Sequence, residues 1–252
     1  MKKIISNHKK ITLDKIDSTN NYARELIGQK VIAEGLVIIA KTQTAGKGSG
    51  NNKWESESNK NLTFSIILHP VFINIASQFI ITQVISLAIT DYLMEAIKNK
   101  TIAIKWPNDI YINNSKICGI LIENIVKGNI YETAIVGIGL NVNQTLFSKE
   151  LPNPTSLRIE SDKYFDLDKT LNNLLLKINK RYNQLLSKDF ALIEYEYLKN
   201  LYRFNQIHKF MYKGITINAK IIGINRFGML QLKNSEDNKL IECNFNDIDF
   251  II

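Results

Sequence analysis

The hydrophobic pattern of this chain changes period several times, and each change marks an element. From Lys10 to Ile16 (KITLDKI) apolar and polar residues alternate, as on a half-buried strand. Ser18, Thr19 or Asn20 can then cap a helix running through YARELI, since each side chain can accept from a free first-turn N–H. LVIIAK (Leu36–Lys41) and NLTFSIIL (Asn61–Leu68) are short apolar runs with strand character. Between them, from about Gln43 to Lys60, lies a polar loop bearing glycines. Ile81, Val84, Ile85, Ala88 and Tyr92 recur at helical spacing and predict a long core helix with one buried stripe. Phe79 to Ile97 is the most apolar long stretch, but Gln83, Asp91 and Glu95 interrupt it, so it reads as a buried helix and not a membrane span.

The middle of the chain is rich in β-branched residues. AIKW, DIYI and KICGILIEN are short runs, and YETAIVGIGLNVN ends in glycine and asparagine. Their close spacing, without regular βαβ alternation, predicts an α+β fold: a mixed or antiparallel sheet with helices packed on one face. LPNPTSL reads as an ordered turn, and Leu167–Leu201 as two helices. Beyond Asn205, KGITINAKIIGI, GMLQL and KLIECNF are short strands separated by turns. They predict a small C-terminal β-barrel, too small to be very stable alone and so docked on the main domain. The expected division is 1–204 and 205–252.

Composition narrows the class. Of 252 residues 45% are hydrophobic and 22% charged, enough apolar material for a globular core. The net charge of +8 favours anionic partners, but isolated lysines carry it and no arginine block marks a nucleic-acid footprint. Cys118 and Cys243 lie far apart, and His8, His69 and His208 have no ligand-like spacing with them. This predicts a reducing cytosol, no disulfide framework and no His/Cys zinc site. The basic start MKKIISNHKK lacks the apolar stretch of a signal peptide, so a cytoplasmic protein is expected.

Three segments can carry chemistry. In QTAGKGSGNNKW (Gln43–Trp54), Gly46 and Gly48 let backbone N–H groups approach a phosphate and Lys47 adds a point charge. Neither a Walker loop nor a dinucleotide fingerprint fits, because a strand follows the loop, and a plain β–β connection remains open. In KWPNDIYINNSKICGILIE (Lys105–Glu123), Pro107 disfavours helix at Trp106, so a bend presents Asn108 and Asp109 at the head of a strand. Lys116 follows one short hairpin later. A lysine, a carboxylate and an amide converging on a turn suit phosphoryl or acyl-phosphate chemistry, though each taken singly is an ordinary turn or surface residue. In GIGLNVN, Gly137 and Gly139 interrupt a strand, which marks close approach of a ligand or another backbone; a β-bulge would do the same. Asn141 and Asn143 would point to one side by alternation.

Taken together, DSTN (Asp17–Asn20), the glycine loop ending in KW, KWPND with Lys116 and CGILIE downstream, and GIGLN resemble the biotin–protein ligases in order and spacing. The resemblance runs from about residue 11 to the end. It implies a class II synthetase-like catalytic domain followed by an SH3-like barrel. It also implies an enzyme that makes biotinyl-5′-AMP from biotin and ATP with Mg²⁺, then passes biotin to a lysine of a biotin carboxyl carrier domain. On that template Ser18, Thr19, Asn20 and Gln43, with the backbone at Gly119, would hold biotin. Lys47 and Lys116 would flank its carboxylate and the α-phosphate, with Lys116 the main catalytic residue. Gly46, Gly48, Ser49, Trp54, Asn108 and Asn141 would hold the nucleotide, and Asp109 would orient the carrier lysine. No protein ligand for the metal is assigned, since Mg²⁺ would arrive on the ATP phosphates.

Two departures stand out. The family loop usually reads GRGRxG, whereas here it is GKGSGN: Lys47 stands for the first arginine and Ser49 for the second. A lysine lacks the planar bidentate fork and a serine lacks charge, so weaker retention of biotinyl-AMP is expected. Many relatives also carry an N-terminal DNA-binding domain, for which about ten residues ahead of the first strand leave no room. No DNA-binding role and no membrane contact are expected. Many relatives are homodimers, and the sequence leaves the oligomeric state open. The rivals are a lipoate or octanoyl ligase of the same superfamily, which usually lacks KWPND, and a non-enzymatic nucleotide- or RNA-binding module, which leaves the paired lysines and Asp109 unexplained.

Overall fold

The computed structural model describes residues 4–5, 10–50 and 52–252. Most of the basic start read above, and Asn51 of the glycine loop, lie outside the described residues. The alternating first run forms β1 (Lys10–Ile16) and the capped segment forms α1 (Thr19–Gln29). They are followed by β2 (Leu36–Gln43), β3 (Leu62–Leu68), α2 (Phe79–Ala96), β4 (Ile102–Lys105), β5 (Asp109–Ile112), β6 (Ser115–Lys127) and β7 (Ile130–Leu140). The seven strands make one sheet in the order β1-β2-β3-β7-β6-β5-β4. β1 runs parallel to β2 and every other neighbouring pair is antiparallel, so the sheet is mixed.

After the sheet come α3 (Leu157–Ser161), α4 (Leu167–Leu186) and α5 (Phe190–Lys199). α3 begins inside the segment read as a turn: Ser156 caps it by accepting from the Ile159 N–H at 3.2 Å. α2 lies between the sheet and α4 and α5, with Arg181 of α4 paired to Asp91 of α2 and Glu196 of α5. Because those helices cover its far side, α2 is buried almost all round, where sequence periodicity predicted one stripe. Ile75–Ala96 has the length and hydropathy of a membrane span, but 72% of its most apolar window is buried inside this fold.

The two faces of the sheet differ. Phe64, Ile66, Val136 and Ile138 point into the main core with α2, α4 and α5, the expected helical layer. Ile38, Ile67 and Ile135 point the other way and pack against Ala23 and Leu26 of α1. Helix α1 packs on β2, β3 and β7 and reaches β6 at Glu123, so this second face is left open over β5 and the start of β6.

The C-terminal unit is a five-stranded antiparallel sheet of β8 (Ile207–Tyr212), β9 (Ile215–Ile224), β10 (Leu230–Asn234), β11 (Leu240–Cys243) and β12 (Ile248–Phe250). Its order is β11-β10-β9-β8-β12, and no pairing of β11 with β12 closes it into a barrel among the described residues. It docks on the KWPND turn: the Trp106 indole N–H donates to the Gly228 carbonyl at 2.9 Å, and the Trp106 and Phe245 rings lie 5.1 Å apart.

Candidate active site

One cross-strand row crosses the uncovered face. Lys105 pairs with Asp109, Asp109 with Gly119, Gly119 with Gly139, and Gly139 with Thr63. Directly opposed residues project to the same side, so the row is charged at one end, bare in the middle and polar at the other. Lys116 joins it through a bulge. Between the pairs Ile110–Cys118 and Tyr111–Lys116 the register skips Ile117, which turns Lys116 onto the face of Asp109. Its Nζ lies 2.7 Å from Asp109 Oδ1. The Lys116 backbone is clamped from behind, donating to the Asn153 carbonyl at 2.7 Å and accepting from the Thr155 N–H at 2.9 Å.

Trp54 lies over the bare middle. A Cβ on Gly139 would fall 2.2 Å from Trp54 Cε2, and one on Gly119 would fall 3.0 Å from Cζ3, so only glycines admit the indole there. Lys116 Nζ is 5.8 Å from the ring centroid. The glycine loop that carries Trp54 is a small hairpin, not a shapeless connection. The Trp54 N–H donates to the Gly46 carbonyl at 2.9 Å, the Gly48 N–H to the Asn52 carbonyl at 2.8 Å, and Lys47 bridges Lys53. The indole N–H of Trp54 is buried without a partner.

The polar end is built by the start of α1 meeting β2 and β3. Ser18 caps α1 without using its side chain, leaving the hydroxyl to the cleft. Gln43 Oε1 faces the Thr19 N–H at 2.8 Å and Thr19 Oγ1 at 3.1 Å. Ser65 Oγ lies 2.7 Å from Thr19 Oγ1 and 2.6 Å from Asn20 Oδ1. Asn20 Nδ2 donates to Glu123 Oε2 at 2.8 Å, and Glu123 Oε1 is paired with Arg24 at 2.9 Å.

A cleft of about 370 Å³ joins these parts. Ser18, Thr19, Asn20, Gln43, Lys47, Gly48, Ser49, Trp54, Asn108, Asp109, Lys116 and Gly119, all singled out from sequence, line it. Asn108 is fixed by its Nδ2, which donates to the Ile120 carbonyl at 2.6 Å. Two expected residues stand apart. Gly46 is buried beneath the loop and faces an adjoining hollow. Asn141 sits behind Lys116 with Nδ2 donating to the Thr155 carbonyl at 2.9 Å, and its Oδ1 is buried with no donor. Asn143 is likewise absent from the cleft lining: it exchanges hydrogen bonds with the Phe165 backbone and serves the fold.

Sequence reasoning passed over Lys105, Ser65, Glu123 and the C-terminal wall of Phe245, Asn246 and Ile248–Phe250. Lys105 Nζ is 5.0 Å from the Phe250 ring centroid and 5.4 Å from that of Tyr111. Burial pushes its pKa below the ordinary lysine value, and nearby Asp109 pulls it partly back. Its place in the KWPND motif was the available signal. Cys118 and Cys243 are buried free thiols, raised in pKa by burial, Cys243 to about 11. Among the described residues no group of three or more His, Cys, Asp or Glu forms a metal centre.

Comparison with known proteins shows the family and the fold. The chain matches the Biotin/lipoate A/B protein ligase family over residues 13–141. It is 32% identical over 231 residues to the bifunctional ligase/repressor BirA of Bacillus spizizenii, covering 90% of this chain and 70% of that protein. It is 33% identical over 135 residues to the biotin–[acetyl-CoA-carboxylase] ligase of Paracoccus denitrificans, covering 52% and 53% of the two chains. The fold superposes on the biotin protein ligase from Aquifex aeolicus in complex with biotin and ATP with a TM-score of 0.77. Identity there is 26%, and 96% of this chain and 97% of that one are covered.

Proposed function

The chain belongs to the Biotin/lipoate A/B protein ligase family and is a biotin–protein ligase; from that premise we propose that it forms biotinyl-5′-AMP and transfers biotin to a lysine of a biotin carboxyl carrier domain. One observation carries this: a single cleft of about 370 Å³ joins a neutral hydrogen-bonding end, at Thr19 and Gln43, to a charged end, at Lys116 and Asp109, across a floor without side chains. The cyclic urea of biotin suits the first end, its carboxylate the second, and its apolar body the Trp54 indole that covers the glycine floor between them.

In the first step a biotin carboxylate oxygen bonds to the α-phosphorus of ATP as the bond to pyrophosphate breaks. Both partners are anions, so the step needs positive charge between them, which Lys116 and Lys47 supply. Ser49 would meet the phosphates at the cleft wall, while Gly46 and Gly48 shape the hairpin that presents Lys47, the Gly48 N–H being held by the Asn52 carbonyl. Asn108, at the cleft wall, suits the nucleotide, and Asn141 would support it from outside the cleft by holding the Thr155 segment that clamps the Lys116 backbone. Trp54 would close over the adenine as the loop folds round it. Mg²⁺ would arrive on the ATP phosphates, where Asn108 and Asp109 of the cleft wall would offer it hard oxygen donors, and it would neutralise phosphate charge. In the second step a neutral lysine amine attacks the biotinyl carbonyl, forming the amide and releasing AMP. Asp109 orients that amine and favours loss of its proton.

The test is ATP-dependent transfer of labelled biotin, with lipoate alongside, to a purified carrier domain. Lys116→Ala should lose roughly 10²–10³-fold in kcat. Full activity in that variant would overturn the assigned role, and preferential transfer of lipoate would overturn the substrate.

A further inference from the structure

The polar end of the cleft is one terminus of a hydrogen-bonded chain whose other terminus is at the surface. In order it runs Arg24, Glu123, Asn20, Ser65, Thr19, Gln43, and Asn20, Ser65 and Thr19 are each no more than 3% exposed. A serine or threonine hydroxyl has one proton to give, and a carboxylate or amide oxygen has none. Counting protons along the chain therefore fixes its direction.

The count starts at Glu123. Its carboxylate lies beside Arg24 and can only accept, so the Asn20 amide turns its NH₂ toward Glu123 at 2.8 Å. The Asn20 carbonyl oxygen then faces Ser65 at 2.6 Å and takes the one Ser65 proton. Ser65 is left an acceptor toward Thr19 at 2.7 Å, so the Thr19 proton lies in that contact. Placing it instead on Gln43, at the longer 3.1 Å, would leave two hydroxyl oxygens 2.7 Å apart with no proton between them. Gln43 Oε1 already takes the Thr19 backbone N–H at 2.8 Å, so what the cleft is offered is a lone pair of Thr19 Oγ1 beside the second lone pair of Gln43 Oε1, and the donor for these must come from outside. Gly137 helps hold this arrangement, because a Cβ there would fall 2.5 Å from Asn20 Oδ1.

We infer that Glu123 is a positioning residue that sets this polarity, making Thr19 and Gln43 an acceptor pair that selects a ligand carrying an N–H at that point, here a cyclic-urea N–H. The inference rests on the biotin reading of the cleft and extends it to residues outside the cleft's polar lining. It also gives a role to Ser65, a fully buried hydroxyl outside the cleft lining. A site with acceptor lone pairs left open rejects a ligand lacking the donor more strongly than one lacking apolar bulk.

Glu123→Gln tests it with almost no change of shape. The glutamine oxygen stays with the Arg24 guanidinium, so its NH₂ faces Asn20 and turns that amide round. Ser65 then donates to Thr19, Thr19 donates to Gln43, and the acceptor pair is lost. Ser65→Ala breaks the same chain from inside and serves as the second variant. Binding of biotin, desthiobiotin and biotin methylated at either urea nitrogen is measured by titration calorimetry on the full chain. Both variants should bind biotin and desthiobiotin roughly tenfold more weakly, the loss of one hydrogen bond to a buried acceptor. For the methylated isomer that lacks the critical N–H, affinity should be the same in wild type and variants. An equal factor of loss for every ligand, or no loss for biotin in either variant, would overturn the inference. Wild-type protein that binds neither biotin nor desthiobiotin would instead overturn the biotin reading beneath it.

Discussion

Gly139→Ala adds one methyl group to the centre of the site. Its Cβ would meet Trp54 Cε2 at 2.2 Å and Cζ2 and Nε1 at 2.6 Å. Ordinary carbon contacts lie at ~3.5–4.0 Å, so the indole must retreat by about 1.3 Å or more. The strand cannot yield, because Gly139 is paired on both sides, to Thr63 and to Gly119. Trp54 can yield, since it rides on a hairpin closed by few backbone bonds. The cost to the fold should therefore sit at the low end of the overpacking range, about 1 kcal/mol, or ~2–4 °C in Tm. The cost to function should be larger. Displacing a substrate-contacting group by about 1 Å can cost roughly 10²-fold, so kcat/KM for biotin should fall about 100-fold, equivalent to ~2.7 kcal/mol.

Transfer kinetics and tryptophan emission read the two effects separately. Only Trp54 and Trp106 contribute to the emission, and Trp106 is 3% exposed and tied to Gly228. The change should therefore report Trp54, as a red shift when its ring leaves the floor. Trp54→Phe supplies the control, because phenylalanine carries no atoms at the Cζ2 and Nε1 positions. In that background Gly139→Ala should cost less than about tenfold, a coupling that a double-mutant cycle measures. The same 100-fold loss in both backgrounds, or no loss in either, would refute the assignment of Gly139 as the seat of the indole.

Ser49→Arg should slow release of biotinyl-AMP roughly tenfold, by adding a charge-assisted hydrogen bond at the cleft wall; equal or faster release from the variant would sink the idea. Lys105→Met should lower transfer yet raise Tm at pH 7 by a few degrees, on the order of 1 kcal/mol. Burial holds the Lys105 pKa below the ordinary 10.5, so between the two values the unfolded chain binds more protons and stability rises with pH. The charging penalty is complete below that window, and the advantage of methionine should shrink as pH climbs through it. A variant less stable than wild type at pH 7 contradicts this. Gly28→Ala, at an exposed place in α1 with nothing within 4 Å of the new Cβ, should raise Tm by about 1–2 °C through helix propensity, about 0.5 kcal/mol. A lower Tm would show that α1 needs the glycine.

How much of this was legible depended on whether the physics was local. The side-chain cap expected at Ser18, Thr19 or Asn20 is not made, but β1 and the place of α1 followed from period, and β6 and β7 from their β-branched runs, because those signals lie within ten or so residues. The burial of α2 all round did not, since α4 and α5 cover it from about 90 residues away: Arg181 reaches Asp91. Strands β8 and β12 were missed within the C-terminal unit; β12 has three residues, too few to show a period. In the site, residue type announced Lys47, Asp109 and Lys116. What aims Lys116, a one-residue bulge at Ile117, leaves no mark in the apolar run ICGIL. Gly137 and Gly139 were visible as violations of strand propensity, which gather where a fold gives up stability for function, whereas Gly119 came only with the family resemblance. Ser65 and Glu123 violate nothing. Their importance lies in the number of protons each can offer, and that becomes readable only once Asn20 is seen standing between them.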